Sequence, residues 1–246
     1  MMISAIVPVK KLDLSKKRLS TILSPRERRL LAVVMLEDVL RALKSSAIHQ
    51  IVVISPDSTV HLIANKFGVI CLSENRSGLN LAIEQAAKWC IQHQSDSALV
   101  LPADVPLVSP KDIARIIELG GQTASLVLSP SRNGGTNALF RRPVDLMEAS
   151  FGPNSYKRHI KEALEKGIEP KVYRSQRVST DIDSEEDLKR FLEIESHALS
   201  RRFLERIGLR KRLSAHAKLN SKTQCLRPSR AQDEKIRLDK QNCPGD

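Results

Sequence analysis

Two acidic segments and one basic loop hold the side chains best suited to act on a phosphate. In Pro102-Ala103-Asp104-Val105-Pro106 a carboxylate sits between two prolines whose fixed φ stiffens the chain, directly after the apolar run ALVL. Asp104 there can hold a metal, and it can equally cap the helix that follows. Thr180-Asp181-Ile182-Asp183 places carboxylates at i and i+2. In an extended segment those two project to the same side, so Asp181 and Asp183 can converge on one hard cation. The plainer alternative has Asp183 capping the helix announced by Ser184-Glu185-Glu186, with Asp181 solvated. Two or three carboxylates suffice for Mg²⁺, which keeps waters and fills its shell with substrate phosphates.

The basic loop Lys10-Lys11-x-x-x-x-Lys16-Lys17-Arg18 gathers five cations just after the first apolar run. That is where an α/β sheet receives anions, and a triphosphate carries the matching charge; a solvated surface loop is the bland reading. Neither a phosphate-binding G-x-x-x-x-G-K-[ST] nor a dinucleotide-binding G-x-G-x-x-G occurs. Asn133-Gly134-Gly135-Thr136-Asn137 joins two extended segments, either as a plain turn or as a place where backbone N–H groups, Thr136 and Asn137 approach a ligand. In Phe151-Gly152-Pro153-Asn154-Ser155, Ser155 is a natural N-cap for a helix from about Tyr156, and Gly152 beside that helix start suits phosphate or carboxylate. His159 on that helix reads as a surface or packing histidine. Ser77-Gly78-Leu79-Asn80 opens another helix, where Asn80 is placed to read a base or ribose. No Ser or Cys has a neighbouring His and acid in a nucleophile motif.

The elements that must position these residues alternate. Apolar strands are expected at 2–9, 50–55, 69–72, 98–101 and 124–129. Helices are expected from Ser24-Pro25-x-Glu27 onward and at 57–66, 79–92 and 110–119. Such alternation predicts an α/β fold with a mainly parallel sheet flanked by helices, a Rossmann-like three-layer arrangement, with function at the carboxyl ends of the strands. The domain is expected over 1–195. From 196 to 246 the apolar period fails, and thirteen Lys or Arg stand against five Asp or Glu, so a short helix and then a mobile basic tail are expected.

Length and composition narrow the class further. The 246 residues, 41% hydrophobic and 28% charged, suit one large globular domain with an extension, or two small ones. No apolar run approaches the ~20 residues of a membrane helix. The N-terminal stretch is followed at once by Lys10 and Lys11, the reverse of a signal peptide, so a cytoplasmic location is expected. Cys71, Cys90, Cys225 and Cys243 lack metal-site spacing and read as free thiols.

The residues resemble the 2-phospho-L-lactate guanylyltransferases of deazaflavin coenzyme F-420 biosynthesis, nucleotidyltransferases of GT-A-like fold. The resemblance rests on VPVKKLDLSKKRLS (7–20), LSPRERRLLAVVMLEDVL (23–40), GLN (78–80), LPADVPLV (101–108), GGTNALF (134–140), FGPNSYKRH (151–159) and DIDSEEDL (181–188). It implies transfer of GMP from GTP to the phosphate of a small phosphorylated carboxylic acid, with pyrophosphate released. Asp104, Asp181 and Asp183 match the family's Mg²⁺ ligands, and Thr136, Gly152 and Ser155 its positions for the phosphorylated acid. Lys10, Lys16 and Arg18 would hold triphosphate, with Lys16, Arg18 and Asp104 catalytic, while Gly78 and Asn80 would lie near the nucleoside. The sequence departs from the family at NGGTNAL, where a further Gly-Thr pair is expected, and at Asn154, where glycine is common. The acceptor stays open among 2-phospho-L-lactate, phosphoenolpyruvate and 3-phosphoglycerate, and a homodimer is compatible with the sequence.

Two rivals are weighed. One is a nucleotidyltransferase of the same fold acting on a sugar phosphate or cofactor precursor. The other is a nucleic-acid-binding protein, suggested by the net charge of +12. Against the latter, the chain has one Trp, two Tyr and five Phe, with only Phe203 in the basic tail, so platforms for base stacking are lacking.

Overall fold

Apolar runs too short for helices form strands covered on both faces. In a computed structural model that describes residues 1–216, β1 (Ile3–Pro8), β2 (Gln50–Ser55), β3 (Ile70–Ser73) and β4 (Ser97–Val100) alternate with α1 (Pro25–Lys44), α2 (Ser58–Lys66) and α3 (Leu79–Gln92). Then come α4 (Pro110–Gly120), β5 (Ser125–Pro130), β6 (Thr136–Arg142), α5 (Ser155–Glu165), β7 (Lys171–Val172), α6 (Glu185–Glu193) and α7 (Leu199–Arg206). Every residue of β1, β4 and β6 is buried, as expected of strands sandwiched between helix layers. The Ser24 capping box with Glu27 starts α1 as its sequence predicts.

One sheet contains all seven strands in the order β3-β2-β1-β4-β6-β5-β7. The pairs β1–β2, β1–β4, β2–β3 and β5–β7 are parallel, while β6 runs antiparallel between β4 and β5. The order reverses at β1: β2 and β3 are laid on one side of it and β4 on the other. Loops leaving the carboxyl ends of β1 and β4 therefore diverge and open a crevice. Because β6 is antiparallel, its first residues, Thr136 and Asn137, lie at that same end of the sheet.

No helix separates β5 from β6. Gly134 takes φ 79°, Ser131 N–H donates to Gly135 O at 2.9 Å, and Gly135 N–H donates to Ser131 Oγ at 2.8 Å. A Cβ on Gly135 would meet that Oγ at 2.9 Å, so the turn needs glycine there.

Two expectations are corrected. Asn154, in the left-handed region at φ 56°, is the N-cap residue of α5, so Ser155 is inside the helix with its side chain buried rather than capping. The domain boundary expected at 195 also falls short, because the compact unit runs Met1–Arg206 and includes α7. Asp38, on the buried face of α1, accepts hydrogen bonds from Leu199 N–H (2.7 Å), Ser200 N–H (2.9 Å) and Ser200 Oγ (2.7 Å), so a carboxylate from α1 caps α7 from outside. Phe203 and Leu204 are buried from the same helix. A distant cap of this kind leaves no local sequence signal. Residues 209–216 are helical in a second unit. The remainder of the expected mobile tail, with Cys225 and Cys243, lies outside the described residues. No helix among those described is long and apolar enough to cross a membrane.

Replacing Asp38 with Ala would leave two N–H groups and a hydroxyl without their acceptor. The expected loss is about 1–3 kcal/mol in urea unfolding, with earlier tryptic cleavage at Arg201 and Arg202. Wild-type stability and cleavage would contradict the capping role.

Candidate active site

The crevice is a cleft of about 520 Å³ at the carboxyl ends of β1 and β4. Lys10, Lys16 and Arg18 line it from the loop after β1, and Asp104 from the loop after β4. Thr136 and Asn137 line it from β6, Gly152 and Ser155 from the start of α5, and Asp181 and Asp183 from the segment before α6. Lys11 and Lys17 are not part of that lining, so three of the five loop cations line the cleft.

Lys16 holds the acidic side together. Its Nζ donates to Asp104 Oδ2 at 2.8 Å and to Asp183 Oδ1 at 2.7 Å, and only 6% of the lysine side chain is exposed. Burial alone would lower the ammonium pKa, but the two carboxylates outweigh it and the net shift is upward, so Lys16 stays charged. Burial pushes the Asp183 carboxyl up, while Lys16, Arg18 and Lys10 pull it down to a net lowering. Asp181 instead rises to about 6, through burial first, opposed by a hydrogen bond from Asn137, and then through the charges of Asp104 and Asp183. Lys16 itself occupies the left-handed region at φ 54°, φ values uncommon outside glycine.

Both acidic segments escape their capping alternatives. Ser109 caps α4 in a box with Asp112, and Ser184 caps α6 in a box with Asp187, leaving Asp104 and Asp183 free for the cleft. Ile182 is fully buried and its N–H donates to Asp104 O at 3.1 Å, which turns Asp181 and Asp183 outward on either side of it. The Lys16 ammonium fills the position between Asp104 Oδ2 and Asp183 Oδ1, so a hard cation would use the other oxygens of these carboxylates. Among the described residues no three His, Cys, Asp or Glu close into a metal cage by themselves. A magnesium ion would complete its shell with water and phosphate oxygens.

Across the cleft, Thr136 Oγ1 receives a hydrogen bond from Ser155 Oγ at 3.2 Å and lies 3.0 Å from His159 Nδ1. Arg158 clamps the loop before α5, donating through Nη2 to Ser150 O (2.8 Å) and through Nη1 to Pro153 O (3.1 Å), and so fixes Gly152 between them.

The model of the family described as guanylyl transferase CofC like matches residues 3–224. The chain belongs to that family. It is 38% identical over 191 residues to a phosphoenolpyruvate guanylyltransferase of Rubrobacter xylanophilus, covering 77% of this chain and 93% of the relative. It is also 38% identical over 185 residues to a 2-phospho-L-lactate guanylyltransferase of Methanothermobacter thermautotrophicus, covering 75% and 81%. A solved chain from Desulfovibrio desulfuricans, described as a nucleotide-diphospho-sugar transferase, superimposes with a TM-score of 0.72 at 13% identity, covering 86% of this chain and 99% of that one. That likeness shows the fold.

Of the residues the sequence singled out, the guanylyl transferase CofC-like chain brings nine to the cleft and leaves two outside. Gly78 is the N-cap position of α3 and does not line the cleft, although Leu79 does. The Asn80 amide is engaged with backbone instead of facing a nucleoside: Oδ1 accepts from Phe151 N–H at 2.7 Å and Nδ2 donates to Phe151 O at 3.2 Å. Asn137 was underweighted by sequence. Its Nδ2 donates to Asp181 Oδ1 (3.0 Å) and Val178 O (2.9 Å), fastening the DID segment to β6; its place beside Thr136 in the glycine turn was the available signal.

His159 is fully buried, and burial, then Arg158 and Arg141, lower its pKa from 6.5 to about 4. An unfolded chain binds the extra proton between those values. The stability contributed by the neutral ring is therefore complete above about pH 6.5 and is lost as pH falls toward 4. His159→Asn should flatten the pH dependence of unfolding free energy across that window, read from urea titrations; an unchanged slope would contradict a neutral buried ring.

Proposed function

We propose that this chain transfers GMP from GTP to the phosphate of a three-carbon phosphorylated carboxylic acid and releases pyrophosphate. The observation that carries the reading is the Lys16 ammonium gripped by Asp104 and Asp183 across the cleft from Thr136, Gly152 and Ser155. That layout provides a charge-neutralising side for a triphosphate and a donor-rich side for a second anion. In the reaction an oxygen of the acceptor phosphate forms a bond to the α-phosphorus of GTP, and the bond from that phosphorus to the β-phosphate oxygen breaks. The acceptor phosphate is already anionic at neutral pH, so no side chain has to remove a proton, in keeping with a buried, neutral His159 beside the cleft.

Catalysis then comes from positioning and charge. Lys10, Lys16 and Arg18 bind and orient the triphosphate oxygens. Asp104 and Asp183, joined by Asp181, would hold Mg²⁺, which when bound supplies neutralisation of the charge spread over the transferring phosphoryl group. Thr136 and the backbone at Gly152 orient the acceptor, with Ser155 acting behind them through the hydrogen bond it donates to Thr136. One relative named for phosphoenolpyruvate and one named for 2-phospho-L-lactate are each 38% identical to this chain, which supports the phospho-acid class for the acceptor.

Pyrophosphate release should require GTP, Mg²⁺ and one of 2-phospho-L-lactate, phosphoenolpyruvate or 3-phosphoglycerate, with ATP, CTP and UTP inactive. Release without any acid, or with none of them, would overturn the reading and favour another nucleotidyl acceptor. Asp104→Ala should reduce turnover by at least about 1000-fold and lower the unfolding midpoint, because the buried Lys16 ammonium loses one of its two carboxylates, while circular dichroism still reports the folded protein. Substantial turnover in that folded variant would remove Asp104 from the metal site.

A further inference from the structure

His159 is buried one helical turn beyond Ser155, and its two ring nitrogens have different partners. The Ser150 backbone N–H points at Nε2 at 3.0 Å. A backbone N–H can only donate, so Nε2 carries the lone pair, and the single proton of the neutral ring is on Nδ1. Nδ1 lies 3.0 Å from Thr136 Oγ1 and therefore donates to it. Ser155 Oγ donates to the same oxygen at 3.2 Å. With both lone pairs of Thr136 Oγ1 filled, the threonine has one capacity left, which is to donate. No protein acceptor for that proton exists among the described residues, and Thr136 faces the cleft.

From this chain of donors we infer that His159 is a positioning residue that makes Thr136 an obligate hydrogen-bond donor to an anionic oxygen of the acceptor. It runs from Ser150 N–H to Nε2, from Nδ1–H to Thr136 Oγ1, and from the Thr136 hydroxyl into the cleft. A freely rotating hydroxyl would have to be ordered by the ligand, whereas this one is preorganised before the ligand arrives. The low pKa of the ring, caused by burial and then by the charges of Arg158 and Arg141, keeps it neutral, as the assignment requires. The inference rests on the proposed placement of the acceptor at Thr136, Gly152 and Ser155.

Two measurements test it. In the folded wild-type protein, ¹⁵N shifts of the His159 ring should show the Nδ1–H tautomer; the Nε2–H tautomer or a charged ring at pH 7 would overturn the proposal without any mutation. In steady-state kinetics, His159→Phe keeps an aromatic ring at the site, one atom larger than imidazole, and removes both nitrogens. It should lower kcat/KM for the phosphorylated acid by roughly 10- to 100-fold, the worth of a hydrogen bond to a charged group, with KM for GTP changed less than about twofold. His159→Asn, which can restore a donor near the Nδ1 position, should recover most of the loss. Combined with Thr136→Val, His159→Phe should cost nothing further, since its effect passes through the hydroxyl that is gone. Additive losses, or equal losses for GTP and acceptor, would reduce His159 to a packing role. If Thr136→Val alone leaves the acceptor kcat/KM unchanged, the acceptor is not at Thr136, and the placement fails together with the inference.

Discussion

Carboxylates gathered at one end of a sheet repel one another unless a cation stands among them, and in this chain the cation is the Lys16 ammonium. Its burial makes the pairing obligatory: a charged amine removed from water without partners costs several kcal/mol, so the loop after β1 is held where Nζ reaches both Asp104 and Asp183. The same contact fixes three segments that lie outside the α-helices and strands. The loop after β1, the loop after β4 and the DID segment become one wall of the cleft because a single nitrogen bonds two of them from the third. Asp181, held by Asn137 rather than by Lys16, lies beside this group with its carboxyl pushed up to about 6, chiefly by burial.

The opposite wall is organised by neutral hydrogen bonds. Thr136, Ser155, His159 and the backbone of Ser150 form a chain whose donors run toward the cleft, and Arg158 holds the Gly152 loop rigid against α5. One wall thus carries opposed charges in balance and the other carries directed dipoles. A nucleotidyl transfer between two anionic substrates needs both, since the triphosphate must be neutralised and the second anion must be oriented without a competing base. Asn80 shows how the reading of a single polar residue depends on its partners: the amide expected at a nucleoside instead clips α3 to the backbone at Phe151.

Much of the fold was legible because its signals are local. The capping box of α1, the apolar runs of β1 and β2 and the glycine turn at 134–135 depend on residues within a few positions of one another. The seven-stranded sheet departs from simple βαβ alternation at β6, where two strands meet through a short turn and one must run antiparallel. The boundary at 195 failed for the opposite reason. The cap of α7 is Asp38, distant in sequence and placed beside it only by folding, and a stretch rich in arginine gave no local sign that Phe203 and Leu204 would be buried.

By itself the sequence determined which chemistry-bearing residues exist and which local elements carry them, along with the resemblance of ordered motifs to a guanylyltransferase family. Tertiary structure alone decided their meeting. Lys16 lies 88 positions from Asp104 and 167 from Asp183, and such contacts depend on strand order, on the reversal at β1 and on the antiparallel course of β6. It also decided the tautomer of His159, because a ring nitrogen's proton follows the partner it faces, and only the packed fold brings the Ser150 amide to Nε2. Local spacing sets conformation through short-range sterics and hydrogen bonds, while the charge state and direction of a site's groups follow from neighbours that the chain brings together only when its core closes.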